Sequence, residues 1–157
     1  MNVKNEMPVK VAFFVAGQPM PQSRPRVVSK GGRTWSYSNA SAGLAAWRKS
    51  IHWAAKAAGP LRPSRAHRAE IVFYFARPKA HFKGGEVRCG MPVTVSARPD
   101  LDNLVKAVLD SVQSSGLLSD DSSVVWLTCA KFYVPHEGTG VKTPGAHCVF
   151  ESIGGTL

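Results

Sequence analysis

The chain has 157 residues, of which 44% are hydrophobic, and it carries a formal net charge of +10. This composition excludes general disorder, and a chain of this length can bury about 70% of its unfolded surface in one core. The longest apolar runs fall short of the ~20 residues of a membrane span, and the amino terminus lacks the pattern of a signal peptide. We therefore expect a single domain over residues 1–157 in a reducing cytoplasm.

The first half of the chain predicts strands, a hairpin and one helix, in a strongly basic context. In order, we predict a strand at 9–16, an extended Pro-rich loop GQPMPQSRPR, a hairpin VVSKGGRTWSY that turns at Gly31-Gly32, a helix at 41–58 capped by Asn39 or Ser41, and a strand at 70–76. No acidic residue lies between Glu6 and Glu70. Such a one-sided surface attracts polyanions, with nucleic acid as the first candidate. An anionic membrane is a weaker candidate, because the charge is not gathered on one amphipathic helix.

The second half predicts a long loop, a helix and two strands. We predict a loop from Arg77 to Pro99, a helix at 100–114 ended by Gly116, and the strands SVVWLTCAKFYV and AHCVFES. One helix face carries Leu101, Leu104, Val105, Val108 and Val112, and we expect that face against the sheet. The order of elements indicates an α+β domain built on one mixed sheet.

The segment RPDLDNLVKAVLDSVQSSGLLSDD, residues 98–121, holds five of the ten carboxylates of this basic chain. Pro99 disfavours helix at Arg98, so Asp100 is the expected N-cap. Asp100 and Asp102 then straddle the change from extended chain to helix, where carboxylates two residues apart can converge. If the next strand runs beside the helix start, its beginning brings in a third carboxylate.

Two interpretations of these residues stay open. In the first they are structural: Asp100 caps the helix, Asp102 favours the positive end of its dipole, Lys106 pairs with neighbours, and Asp120-Asp121 forms a turn. In the second, three carboxylates gather within about 5 Å. They then repel by roughly 3 kcal/mol per pair at an effective dielectric near 20, unless some are protonated or a cation lies between them. Oxygen ligands favour Mg²⁺ or Mn²⁺. In a basic molecule this second interpretation suggests a metal-dependent nuclease, with Lys106 positioned to contact the phosphate.

Other metal chemistries are disfavoured. Cys89, Cys129 and Cys148 are widely spaced without a Cys-x-x-Cys pair, so we expect them to pack as small apolar side chains. The histidines show no His-x-x-x-His spacing, which argues against a zinc hydrolase.

The motif RPDLDNLVKAVLDSV with a following DD, together with GQPMPQSRPR, resembles the RusA family of Holliday junction resolvases. The resemblance implies a small α+β homodimer with two main helices that binds four-way DNA junctions. It implies paired symmetric nicks that depend on Mg²⁺, for which Mn²⁺ can substitute, and neither a membrane partner nor a small-molecule substrate. It assigns the metal carboxylates to Asp100, Asp102 and Asp121, with Asp120 as the alternative to Asp121, and the essential lysine to Lys106. It also implies a bacterial cytoplasm, with a prophage as a plausible origin.

The basic loop and hairpin are the expected DNA contacts. We expect phosphate contacts from Arg24, Arg26, Lys30 and Arg33, because a loop and a hairpin can project from the domain. Trp35 either packs against the sheet or stacks on an unpaired base. The alternative functions are a branched-DNA-binding protein without catalysis and a ribonuclease or RNA-binding protein.

Overall fold

A computed structural model describes residues 8–23, 25–37 and 41–153, and within strands it leaves out the side chains of Arg26 and Tyr37. The described residues form two α-helices, α1 (Ala42–Ala57) and α2 (Leu101–Ser115). Their strands are β1 (Lys10–Ala16), β2 (Arg26–Lys30), β3 (Arg33–Tyr37), β4 (His67–Ala76), β5 (Phe82–Lys83), β6 (Glu86–Val87), β7 (Val124–Val134) and β8 (Gly145–Ser152). Single 3₁₀ turns lie at Lys79–His81 and Asp121–Ser123.

Four strands form the main sheet, in the order β1-β8-β4-β7. β4 runs parallel to β7 and antiparallel to β8, and β1 runs antiparallel to β8, so the sheet is mixed. β2 pairs with β3 and β5 with β6 in two separate hairpins. This arrangement confirms the predicted α+β architecture with a mixed sheet and two main helices.

The core lies between the two helices and one face of the main sheet. Ala69, Ile71, Phe73 and Phe75 of β4 alternate along the strand, and each is 5% exposed or less. Leu44, Trp47, Ile51 and Ala55 are buried on α1, while Leu104, Val105, Val108 and Val112 are buried on α2. The stripes of residues three and four apart that predicted the helices therefore form the interior.

The local signals for the first helix and the hairpin are confirmed. The Ser41 hydroxyl accepts a hydrogen bond from the Leu44 N–H at 3.2 Å and caps α1, whereas Asn39 lies outside the described residues. The β2–β3 hairpin turns at Gly31 and Gly32, whose φ angles are 60° and 73°. Two successive residues in this left-handed region are what a tight hairpin of this type requires.

Two predicted segments are corrected. The segment from Arg77 to Pro99, for which Gly84-Gly85 and Pro92 favour a long loop, also contains a 3₁₀ turn and the short β5–β6 hairpin. The strand predicted at 70–76 begins earlier, at His67. The sequence signal at the start of β4 is weak because residues 65–69, with sequence RAHRA, include no large apolar side chain.

β7 is an edge strand of the main sheet. Its register against β4 shifts between His67 and Arg68, which pair with Val124 and Trp126, so Val125 forms a bulge. Burial does not alternate along this part of the strand: Val125, Trp126 and Leu127 are 63%, 56% and 44% exposed. Beyond this stretch, a bridge between Thr94 and Phe132 covers the edge.

The cysteines are free thiols in three different environments. Cys148 is fully buried, and burial raises its pKa to about 12. Cys129 is half-buried and Cys89 is exposed, so the expectation of buried packing is wrong for Cys89. Among the described residues, no helix is both long and apolar enough to cross a membrane.

Candidate active site

The start of α2, the 3₁₀ turn Asp121–Ser123 and β7 enclose an open groove of about 460 Å³. Three polar side chains line it, from Asp102, Lys106 and Asp121. The remaining lining is mostly apolar, from Leu101, Val105, Leu109, Leu127 and Cys129. The structure therefore brings together three of the four side chains that the sequence motif singled out, although Asp121 is 19 positions from Asp102 in the chain.

Asp100 occupies the N-cap position without capping the helix through its side chain. Its backbone is extended, with φ −68° and ψ 139°, and its carbonyl accepts the first helical hydrogen bond from the Leu104 N–H at 3.2 Å. Its carboxylate makes no capping hydrogen bond. The structural interpretation of Asp100 as a side-chain cap is therefore wrong, although its predicted position at the helix start is right.

Lys106 makes an exposed ion pair on the flank of α2. Its Nζ lies 3.4 Å from the Asp110 carboxylate one turn further on. The Lys106 side chain is 60% exposed and that of Asp110 is 22% exposed. Exposed pairs of this kind contribute only about 0–1 kcal/mol, so the ammonium can turn to another anion at little cost.

Asp120 and Asp121 are adjacent in the chain, but their carboxylates lie in different surroundings. The Asp120 carboxylate accepts a hydrogen bond from the Ser122 N–H at 2.7 Å and caps the 3₁₀ turn. Hydrogen bonds from the Ser122 side chain and backbone hold the pKa of Asp120 below its usual range. Asp121 instead lines the groove. The turn predicted for this doublet is confirmed.

A buried histidine holds this turn from β4. The Ser123 hydroxyl hydrogen-bonds the Asp120 carbonyl at 2.6 Å and His67 Nδ1 at 3.0 Å, and the imidazole also hydrogen-bonds the Arg62 backbone. His67 is only 3% exposed, and burial lowers its pKa. A neutral imidazole therefore anchors the backbone that carries Asp121.

A lysine of β7 holds the other side of the site, before Asp100. Lys131 Nζ donates to the Ala97 carbonyl at 2.9 Å and to the Pro99 carbonyl at 2.8 Å. Sequence reasoning missed both Lys131 and His67. The available signal was that Lys131 is the single charged residue in the strand VVWLTCAKFYV.

The ligand atoms that the groove offers are of the chemical type that binds hard divalent cations. The groove offers carboxylate oxygens, while burial raises the pKa of the Cys129 thiol and so disfavours a thiolate ligand. Mg²⁺ commonly uses one or two protein carboxylates and completes its shell with waters and substrate phosphates. Residues 8–23, 25–37 and 41–153 contain no group of three or more His, Cys, Asp or Glu side chains that could hold a metal ion. The set Asp100, Asp102 and Asp121 therefore stays a prediction.

The predicted DNA contacts lie largely on the β2–β3 hairpin. Lys30 and Arg33 are exposed partners beside its turn. Arg24 lies outside the described residues, and so does the side chain of Arg26, whose backbone begins β2. Trp35 is 48% exposed on a hairpin separate from the main sheet, so the expectation that it packs against the sheet is wrong.

An α+β fold, a strongly basic composition and a groove lined by carboxylates and a lysine are features typical of nucleases that cleave phosphodiesters. The model of the family "Endodeoxyribonuclease RusA" matches residues 16–143. The chain belongs to the RusA family of endodeoxyribonucleases, which confirms the resemblance inferred from the acidic motif. The matched residues include Asp100, Asp102, Lys106 and Asp121 as well as the Pro-rich loop. No curated protein matches the chain.

Proposed function

We propose that this protein is an Mg²⁺-dependent endonuclease that resolves Holliday junctions by paired symmetric nicks. The observation that carries the proposal is the convergence of Asp102, Lys106 and Asp121 on one groove. Family membership supports endonucleolytic cleavage of DNA, and the net charge of +10 supports binding to a polyanion.

Different side chains of the site would contact the metal ion and the scissile phosphate. Asp102 and Asp121, which line the groove, and Asp100, which directly precedes Leu101 of the lining, would hold the metal ion through carboxylate oxygens. When bound, such an ion activates a water and stabilises the charge that develops on the phosphate. Lys106 can exchange its weak pairing with Asp110 for a phosphate oxygen, and so hold the scissile phosphate next to the carboxylates.

The hairpin turn supplies a DNA contact outside the groove. Lys30 and Arg33 flank the turn with exposed side chains, and neither makes an ion pair with another described residue. Trp35, on the same hairpin, is exposed enough to stack on an unpaired base near the crossover. These residues support binding to branched DNA by phosphate contacts together with base stacking.

A homodimer would match the two-fold symmetry of a junction that receives two symmetric cuts. The exposed part of the β7 edge supports this state. Residues 126–130, with sequence WLTCA, contain no charged side chain although the molecule is strongly basic. An unprotected, uncharged edge is a template for pairing with another strand.

The test is a nicking assay on a synthetic four-way junction and a matched linear duplex, with Mg²⁺ and with chelator. We expect Asp102→Asn to retain junction binding and to lose nicking by about 100-fold or more, equivalent to about 2.7 kcal/mol of transition-state stabilisation. Glu137→Gln is the matched control, because it makes the same charge change at an exposed residue that does not line the groove. A wild-type protein that binds junctions but never nicks them with Mg²⁺ or Mn²⁺ would establish the non-catalytic alternative.

A further inference from the structure

Lys131 places a cation on the helix side of the main sheet. In the parallel register Lys131 lies beside Phe73 of β4, which is fully buried beneath the helices. Register partners on adjacent strands project from the same face of a sheet. The half-buried Lys131 side chain therefore rises toward α2, where its Nζ donates to the carbonyls of Ala97 and Pro99.

The same residue also holds the incoming chain through its backbone. The Lys131 carbonyl accepts a hydrogen bond from the Val95 N–H at 3.1 Å. One residue of β7 thus contacts three alternating positions, 95, 97 and 99, of the segment that leads into α2. The last of these contacts, at 2.8 Å, is with the peptide that joins Pro99 to Asp100.

The backbone that carries the Asp100 carboxylate is held at two adjacent carbonyls. The Asp100 carbonyl accepts a hydrogen bond from the Leu104 N–H. The Pro99 carbonyl, one residue earlier, accepts a hydrogen bond from Lys131 Nζ. The carboxylate itself makes no capping bond, so the helix start does not hold it through its side chain.

We propose that Lys131 is a positioning residue, which directs the Asp100 carboxylate and the first turn of α2 toward the groove without touching the substrate. This inference rests on the proposed function, because it gives Asp100 a role in holding the metal ion. It adds a residue outside the acidic motif to the machinery of the site. A side chain that supports a metal ligand in this way commonly changes metal affinity or activity by about 10- to 100-fold when it is replaced.

The test compares three variants of the full chain. Lys131→Met removes the donors at similar length, and Lys131→Arg keeps donors that can reach two carbonyls. Lys142→Met makes the same charge change at an exposed lysine between β7 and β8. We expect Lys131→Met to raise the Mg²⁺ concentration for half-maximal nicking by about 10- to 100-fold. Lys131→Arg should restore most of the loss, and junction binding without metal should equal that of Lys142→Met.

A second readout does not need activity. Hydrogen exchange of the metal-free protein should be faster over residues 96–104 in Lys131→Met, because the helix start loses its anchor. Unchanged exchange and an unchanged Mg²⁺ requirement would overturn the inference, and so would an equal loss of junction binding and nicking.

Two further outcomes are also decisive. If Lys131→Met does not fold, Lys131→Gln replaces it, and failure of both to fold would make Lys131 a core residue and refute a positioning role. If the wild-type protein itself never nicks, the proposed function fails first, and Lys131 then anchors the chain without a catalytic site to position.

Discussion

Neighbouring carboxylates in this protein differ in what they already contact. The Asp120 carboxylate accepts a hydrogen bond from the Ser122 N–H and so stabilises the 3₁₀ turn. Asp121 directs its side chain to the groove that also holds Asp102 and Lys106. A carboxylate that terminates a turn loses that role when it binds a metal, whereas one that faces a groove gives up less. The surroundings therefore favour Asp121 over Asp120 as the third ligand.

Replacement of each aspartate in turn separates these two roles. We expect Asp121→Asn to reduce Mg²⁺-dependent nicking by about 100-fold or more, with the melting temperature nearly unchanged. Asp120→Asn should retain most of the nicking and lower the melting temperature slightly, because the hydrogen bonds from Ser122 favour a charged carboxylate at this position. Nicking rates at saturating Mg²⁺ and thermal unfolding of both variants provide the measurement. The reverse pattern, with Asp120→Asn inactive, would exchange the two assignments.

At the level of elements, the sequence predicted those whose signals are local. Period-3.6 stripes and caps predicted α1 and α2, and Gly31-Gly32 predicted the β2–β3 hairpin. The acidic motif predicted Asp102, Lys106 and Asp121 as candidates, and the groove that brings them together needed the fold. His67 and Lys131 were missed because their importance comes from hydrogen bonds to Ser123, Ala97 and Pro99, which lie distant in sequence.

The hydrogen bond between His67 of β4 and Ser123 of the 3₁₀ turn leads to a prediction about how stability depends on pH. Burial lowers the pKa of His67 from its ordinary value of 6.5, so the folded protein resists protonation more than the unfolded chain does. The contribution of neutral His67 to stability is therefore complete above about pH 6.5 and is lost as pH falls through the lower folded-state pKa.

Denaturant unfolding of the wild type and of His67→Gln at pH 7.5 and pH 5 measures this effect. Glutamine can still form a hydrogen bond with Ser123 but does not titrate, so we expect the wild type to lose more free energy of unfolding toward pH 5 than the variant. Parallel pH profiles for the two proteins would show that His67 does not couple protonation to folding.

On the scale of the whole molecule, charge is distributed unevenly over the surface. The net charge of +10 opposes the approach of a second copy except where charge is missing or a polyanion neutralises it. The exposed β7 edge at residues 126–130 carries no charged side chain of its own, although the Arg68 guanidinium lies 4.8 Å from the centre of the Trp126 ring. This edge is continuous with Leu127 and Cys129 of the groove. A pairing there would bring two grooves into a two-fold relation, as coordinated cleavage of a junction demands.

Thr128 is the residue that tests this pairing. It is exposed at the centre of residues 126–130, so a two-fold axis through the edge would bring the two copies of Thr128 close together. Thr128→Lys would then oppose two like charges, and we expect the dimer dissociation constant to rise at least about 10-fold, or about 1.4 kcal/mol. Thr143→Lys, exposed in the loop before β8, is the matched control. Sedimentation at micromolar concentration measures the dissociation constants.

Cleavage of a supercoiled plasmid with an extruded cruciform tests whether a weaker dimer still makes its two cuts together. Coordinated cuts convert the plasmid directly to the linear form, whereas independent cuts accumulate nicked circles first. We expect the wild type and Thr143→Lys to give linear product, and Thr128→Lys to give nicked circles, because a weaker dimer releases the junction between the two cuts. A wild-type protein that is monomeric at micromolar concentration and still linearises the cruciform would rule out the edge as the basis of paired cleavage.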